Sequence, residues 1–152
     1  MSMKKCIKFL ILLAIMCMIF FFSAQPANDS TIQANFVVDI FYKLYLLFVS
    51  KPSMEYTKFA EVFFTPVRKL AHFSEFMLLG IFAYLNIVEY KRNNYIFISL
   101  CFSIIYAISD EIHQIFVPGR ACALLDVIID SCGALVGIML IHLVFKRWKR
   151  KS

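Results

Sequence analysis

The stretch VRKLAHFSEFMLLGIFAYLNIV, Val67 to Val88, decides how this chain is read. It is long enough to supply the roughly 20 residues an α-helix needs to cross the hydrocarbon of a bilayer. Yet it opens with Arg68, Lys69, His72 and Glu75, and ionisable groups inside a span are costly unless they face one another or a wet cavity. The composition around it agrees with a membrane span. Of 152 residues, 61% are hydrophobic, 16% aromatic and only 17% charged, and the mean hydropathy is +0.75. A soluble domain of this length is nearer half apolar and a quarter charged. Disorder, a basic nucleic-acid-binding domain and a small disulfide scaffold are excluded. A small all-α polytopic membrane protein remains, with residues 1–152 expected to form a single domain.

Working outward, further apolar runs give spans at about 9–24, 95–112 and 124–145 beside 67–88. The third is short, so its helix is expected to continue through Gln114. The first run has no charge until Asp29 and carries Phe22 where a cleavage site wants a small residue, so it reads as a retained signal anchor. The net charge of +6 is a matter of position. Lys4, Lys5 and Lys8, then Lys91 and Arg92, then Lys146, Arg147, Lys149, Arg150 and Lys151 fall on one side of a four-pass chain. The positive-inside rule makes that side, and both termini, cytoplasmic. The KRWKRK tail at 146–151 then reads as an anchor touching anionic lipid, with Trp148 at the interface, and no nucleic-acid partner is expected.

The outer loop, about 27–66, is too long for a plain connector. FVVDIFYKLYLLFV (36–49) is apolar but interrupted by Asp39 and Lys43, and EYTKFAEVFF (55–64) places Glu55, Lys58 and Glu61 at helical spacing. One or two amphipathic helices in the outer interface account for these stretches. Lys51-Pro52-Ser53 marks the break between them. The five cysteines, four of them in or beside spans, do not build a disulfide framework.

The polar residues inside the spans carry the specific information. Arg68, His72 and Glu75 are spaced by four and three and stack on one helical face. The third span ends with Asp110, Glu111, His113 and Gln114, and Asp110 aligns with both His113 and Gln114. The fourth opens with Asp126 and Asp130, one turn apart, followed by Gly133 and Gly137 near the same face. Ser23 and Gln25 close the first span, and the VPGR turn (117–120) sets Arg120 beside the acidic helix ends. By the topology above, all of these groups lie at outer helix ends. Two readings stay open: an interhelical ion-pair network in a structural or transporter-like bundle, or a polar pocket facing the outer leaflet.

The segments FFSAQP (21–26), RKLAHFSEFMLLG (68–80) and SDEIHQIFVPGRACALLDVIIDSCGALVG (109–137) closely resemble the motifs of the VanZ-like family of bacterial membrane proteins. The resemblance implies a cell-membrane protein linked to low-level teicoplanin and glycopeptide resistance, and brings no settled reaction. Carried over by motif, the site positions are Ser23, Gln25, Arg68, Lys69, His72, Glu75, Asp110, Glu111, His113, Gln114, Arg120 and Asp126. The family often has Asn where this chain has Asp130.

Three chemistries suit these residues. Arg68, Lys69 and Arg120 would bind the phosphate of an anionic lipid or of an undecaprenyl-linked intermediate. Ser23, Gln25, Glu111, Gln114, Asp126 and Asp130 would help to shape that binding site. A hydrolase or transferase would instead use His72, Glu75, Asp110 or His113 as acid and base. No cofactor is expected. A divalent metal on His72, Glu75, Asp110 and His113 is the third option, with one-turn ligand spacing but neither H-E-x-x-H nor paired thiolates to support it.

Overall fold

The computed structural model describes residues 3–49, 54–90 and 94–149. The Lys51-Pro52-Ser53 break, the Lys91-Arg92 pair, Arg150 and Lys151 lie outside the described residues, as does the Trp148 side chain. The helices are α1 (Met3–Ser23), α2 (Ala27–Phe48), α3 (Tyr56–Ile87), α4 (Tyr95–Gln114) and α5 (Leu124–Lys149), with a 3-10 turn at Val88–Tyr90. Among the described residues there is no strand. The four helices α1, α3, α4 and α5 are long and apolar enough to cross a membrane, α3 together with the 3-10 turn that follows it. The chain is an all-α, multi-pass membrane protein.

The 55–64 stretch, expected as an interfacial helix, is continuous with the second span. Glu55 is the N-cap residue of α3, and the 56–64 stretch forms its first turns instead of a separate interfacial helix. The helix runs through Pro66. A proline inside a helix loses one hydrogen bond and crowds the preceding turn, but neighbouring helices can make that tolerable in a membrane protein. At 32 residues, α3 is about 48 Å long, well beyond the roughly 30 Å of hydrocarbon. Its first turns serve as the dock for α2.

An aromatic cluster makes that dock. Tyr42 of α2 meets Tyr56 and Phe59 of α3 edge-on, with ring centroids 5.2 and 5.1 Å apart. Phe59 in turn stacks on Phe63 at 4.3 Å. Val38 and Ala34 are buried on the inward face of α2, while Asp39 and Lys43 pair at 2.8 Å on its exposed face. The Asp39 hydrogen bond and charge raise the Lys43 pKa above its ordinary value.

The core joins Leu12, Ile15 and Ile19 of α1, Phe76, Leu79 and Ala83 of α3, and Ala107 of α4. Against α3 packs α5, and the two run parallel: Lys69 meets Asp126, Phe73 meets Gly133, Met77 meets Gly137 and Tyr84 meets His142. Lipid tails are as apolar as leucine, so close backbone approach between small residues carries much of the helix association in a membrane. Here a Cβ on Gly133 would drive into the Phe73 carbonyl, one on Gly137 into the Met77 carbonyl, and one on Gly80 into Ala134.

At the opposite end of the bundle from the polar motifs, Glu89 pairs with Lys8 and, at 3.5 Å, with Lys5. Asn86 donates to the Lys8 carbonyl at 3.2 Å. The start of α1 is thus tied to the end of α3, as antiparallel neighbours require.

The glycine contacts predict a steep cost for even one methyl group. Gly133→Ala should destabilise the bundle by about 1–3 kcal/mol, the usual penalty for overpacking, as read by thermal or denaturant unfolding in detergent. Unchanged stability would show that α3 and α5 do not approach this closely.

Candidate functional site

Local chemistry at the helix ends places each polar group. The segment Val117-Pro118-Gly119-Arg120 closes a turn in which the Arg120 amide donates to the Val117 carbonyl at 3.1 Å. Gly119 sits at φ 77°, a left-handed conformation that a side chain disfavours. That turn swings Arg120 over the end of α1. Its Nε donates to the Gln25 carbonyl at 3.0 Å and its Nη2 to the Phe22 carbonyl at 3.1 Å. The last carbonyls of a helix lack partners within the helix, and a guanidinium with a fixed fork of donors suits them. Burial pulls the Arg120 pKa below its ordinary value, with the Arg68 charge adding to the effect, while Asp110, Glu111 and Glu75 oppose it.

Beneath Arg120 lies a buried polar chain. Ser23 Oγ donates to Asp110 Oδ2 at 2.8 Å, and Gln114 Nε2 donates to the same oxygen at 3.0 Å. Ser23, Asp110 and Gln114 are all buried, though they come from α1 and α4. Glu111, one residue on, faces α5, where its Oε2 accepts from the Ala123 amide at 2.8 Å just before that helix begins. Lys69 and Asp126 close the α3–α5 pair at 2.6 Å.

The remaining groups gather between α3, α4 and α5. Ligand atoms of His72, Asp110 and Asp130 lie within 4.8 Å of one another. Asp130 is 1% exposed, and among the described residues neither of its oxygens has a hydrogen-bond partner. His72 Nδ1 and Glu75 Oε2 stand 3.8 Å apart, too far for a hydrogen bond but close enough to feel each other's charge. Arg68 makes no hydrogen bond or ion pair among the described residues.

One cavity adjoins this cluster, and a second lies beside the first. The first, about 210 Å³, is lined by Arg68, His72, Glu75 and Arg120 on its polar side and by Phe22, Ala34, Val37, Val67 and Ala71 on its apolar side. The second, about 420 Å³, is an almost wholly apolar groove between α2 and α3, walled by Phe41, Leu44, Phe48, Phe59, Phe63 and Leu70. Val67 lines both.

His113 falls outside the cluster. Its ring stacks on Phe20 of α1 at 4.4 Å, so the one-turn spacing from Asp110 did not bring the two to a common point. The side chain of Gln25 makes no hydrogen bond through Oε1; its backbone carbonyl receives Arg120 instead. The Phe22 carbonyl and the α2 wall at Ala34 and Val37 escape sequence reading. A main-chain acceptor leaves no mark in residue type, and the docking of α2 is a long-range event.

A polytopic helical bundle with ionisable groups buried at one end is the class of protein these observations define. The family model described as VanZ/LLP1 matches residues 8–145, nearly the whole chain, and the protein belongs to that family. No curated protein and no solved structure matches the chain.

Cys122 reports on the site without belonging to it. It is exposed, and desolvation together with the Glu111 charge raises its thiol pKa. The thiolate is the reactive form, so maleimide labelling at neutral pH should be slow and should accelerate as pH rises. Glu111→Gln should speed labelling by up to about tenfold, the change one pKa unit makes in the thiolate fraction. An unchanged rate would mean that Glu111 does not act on Cys122.

Proposed function

We propose that this chain works in the plasma membrane of a bacterium, with both termini cytoplasmic. Its polar cavity then opens at the outer leaflet, where it binds, or binds and modifies, the phosphate of an anionic lipid or an undecaprenyl-linked cell-wall intermediate. The observation that carries the reading is the junction of the two cavities. Arg68 and Arg120 line a small charged chamber, and at Val67 it meets a larger apolar groove between α2 and α3. A phosphate on a long hydrocarbon tail presents that pairing of charge and grease, and arginine meets phosphate oxygens through parallel N–H donors.

Charge accounting supports the same reading. Lys69 is paired with Asp126, so that cation serves the helix interface. Arg68 has no such partner among the described residues and lines the chamber. A purely structural network would pair its cations with its acids, and half-buried Arg68 is left out of that pairing. His72 and Glu75 line the same chamber, and in the enzymatic form of this reading Glu75 moves the proton as the phosphate bond is made or broken. Capturing such intermediates would account for the low-level teicoplanin resistance that the VanZ-like resemblance suggests.

The test is binding of a polyprenyl phosphate to the purified protein, measured by native mass spectrometry, alongside glycopeptide susceptibility of cells. Arg68→Ala or Arg120→Ala should weaken binding by about 10–100-fold, the worth of a hydrogen bond to a charged group, and abolish the phenotype at normal abundance. Retained binding and resistance in both variants would overturn the reading. A changed lipid species in cells carrying the protein marks the enzymatic form, and unchanged lipids mark the binding form. Orientation is checked separately: a membrane-impermeant maleimide should reach Cys122 in intact cells, and labelling only after lysis would reverse the topology.

A further inference from the structure

We infer that His72, Asp110 and Asp130 form a binding site for one divalent first-row metal ion of the Zn²⁺ or Mn²⁺ kind. The three residues come from three helices, α3, α4 and α5, and each offers one ligand atom, all within 4.8 Å of one another. Metal bonds of about 2.0–2.2 Å to imidazole nitrogen and carboxylate oxygen require the three groups to draw together by roughly 1 Å, which side-chain rotation supplies. One nitrogen and two hard oxygens suit Zn²⁺ and Mn²⁺, whereas no thiolate stands in the group to favour a softer ion.

The second observation is the state of Asp130. At 1% exposure it is enclosed by the bundle, and among the described residues both its oxygens lack a hydrogen-bond donor. Buried carboxylates are normally paired, hydrogen-bonded or bound to a metal. The charged groups acting most on Asp130 are Asp110, Glu111, Asp126 and Glu75, all acids. Nothing in that set offers the positive charge its position calls for. A divalent cation between Asp110 and Asp130 neutralises both.

The surroundings of the other two ligands fit the same ion. Both hydrogen bonds that Asp110 accepts, from Ser23 and Gln114, land on Oδ2. Donors of this kind orient a ligating carboxylate and tune it. His72 Nδ1 has no hydrogen-bond partner among the described residues, with the Glu75 carboxylate 3.8 Å away. A ligating histidine commonly turns its other nitrogen toward a carboxylate. His72 also lines the charged chamber, so the ion lies next to that chamber. Three protein ligands leave a coordination position open, the arrangement of catalytic rather than structural metal sites.

The inference stands apart from the lipid reading and is tested without lipid. Full-length protein in detergent is stripped with a chelator, incubated with low-micromolar Zn²⁺ or Mn²⁺ chloride, desalted and measured by elemental mass spectrometry. The wild type should retain about one ion per chain and gain thermal stability with metal, as metal binding to the folded state requires. Asp130→Asn and His72→Ala should weaken retention by more than the about 10–100-fold typical of losing an outer-shell partner. Arg68→Ala should retain the ion, which separates this site from phosphate binding. The wild type needs no variant to fold, so its stoichiometry is decisive alone. Retention below about 0.1 ion per chain of either metal would overturn the site, the two carboxyls then sharing a proton. Full retention in both ligand variants would place any bound ion elsewhere and overturn it too.

Discussion

The contact between α3 and α5 at Phe73 and Gly133 is the constraint on which the polar end of this bundle rests. Gly133 has no Cβ, so α5 comes down onto the backbone of α3 there, and again at Gly137 against Met77. His72 precedes Phe73, and Asp130 lies three residues before Gly133, nearly one helical turn away. The close approach that the glycines permit is therefore what brings His72 within reach of Asp130. Widen it by the thickness of a side chain and α3 and α5 still pack, but His72, Asp110 and Asp130 no longer share a point.

Electrostatics then divide the polar groups by task. Lys69 with Asp126, Glu111 with the Ala123 amide, and Arg120 with the Phe22 and Gln25 carbonyls are satisfied pairs that hold helix ends together. In a low-dielectric bundle each such pair is worth keeping, because removing one partner strands the other. Arg68 and Asp130 stand outside this accounting. One is a cation without an ion pair among the described residues, lining a chamber; the other is a buried acid without a hydrogen-bond donor. Their unpaired state leaves them open to a ligand, whereas Arg120 does both, capping the end of α1 while lining the chamber beside Arg68.

Much of this was legible in the chain. The four spans, the helical continuation through Gln114 and the placing of polar motifs at one end follow from run lengths and charge positions. The extent of α3 was not legible, because the 55–64 stretch reads as a separate interfacial helix and only the docking of α2 shows why one helix runs on through Pro66. His113 shows the limit of spacing arguments. It lies one turn from Asp110, yet the rotation between residues three apart leaves it against Phe20. Asp126 and Asp130 show the same limit, since one turn of depth sends the first to Lys69 and the second to His72.

Residue type and order by themselves determined that this protein spans a membrane in helices, that it belongs with VanZ-like proteins, and that its rare charges concentrate at one end. They did so because hydrocarbon penalises every exposed polar group, so composition alone reports the solvent. Which charges meet was decided only by tertiary structure. Partners such as Ser23 and Asp110, 87 positions apart, or Arg120 and two main-chain carbonyls of α1, depend on helix rotation, depth and the close approach at Gly133. None of those is a property of a single segment, so no local pattern records them.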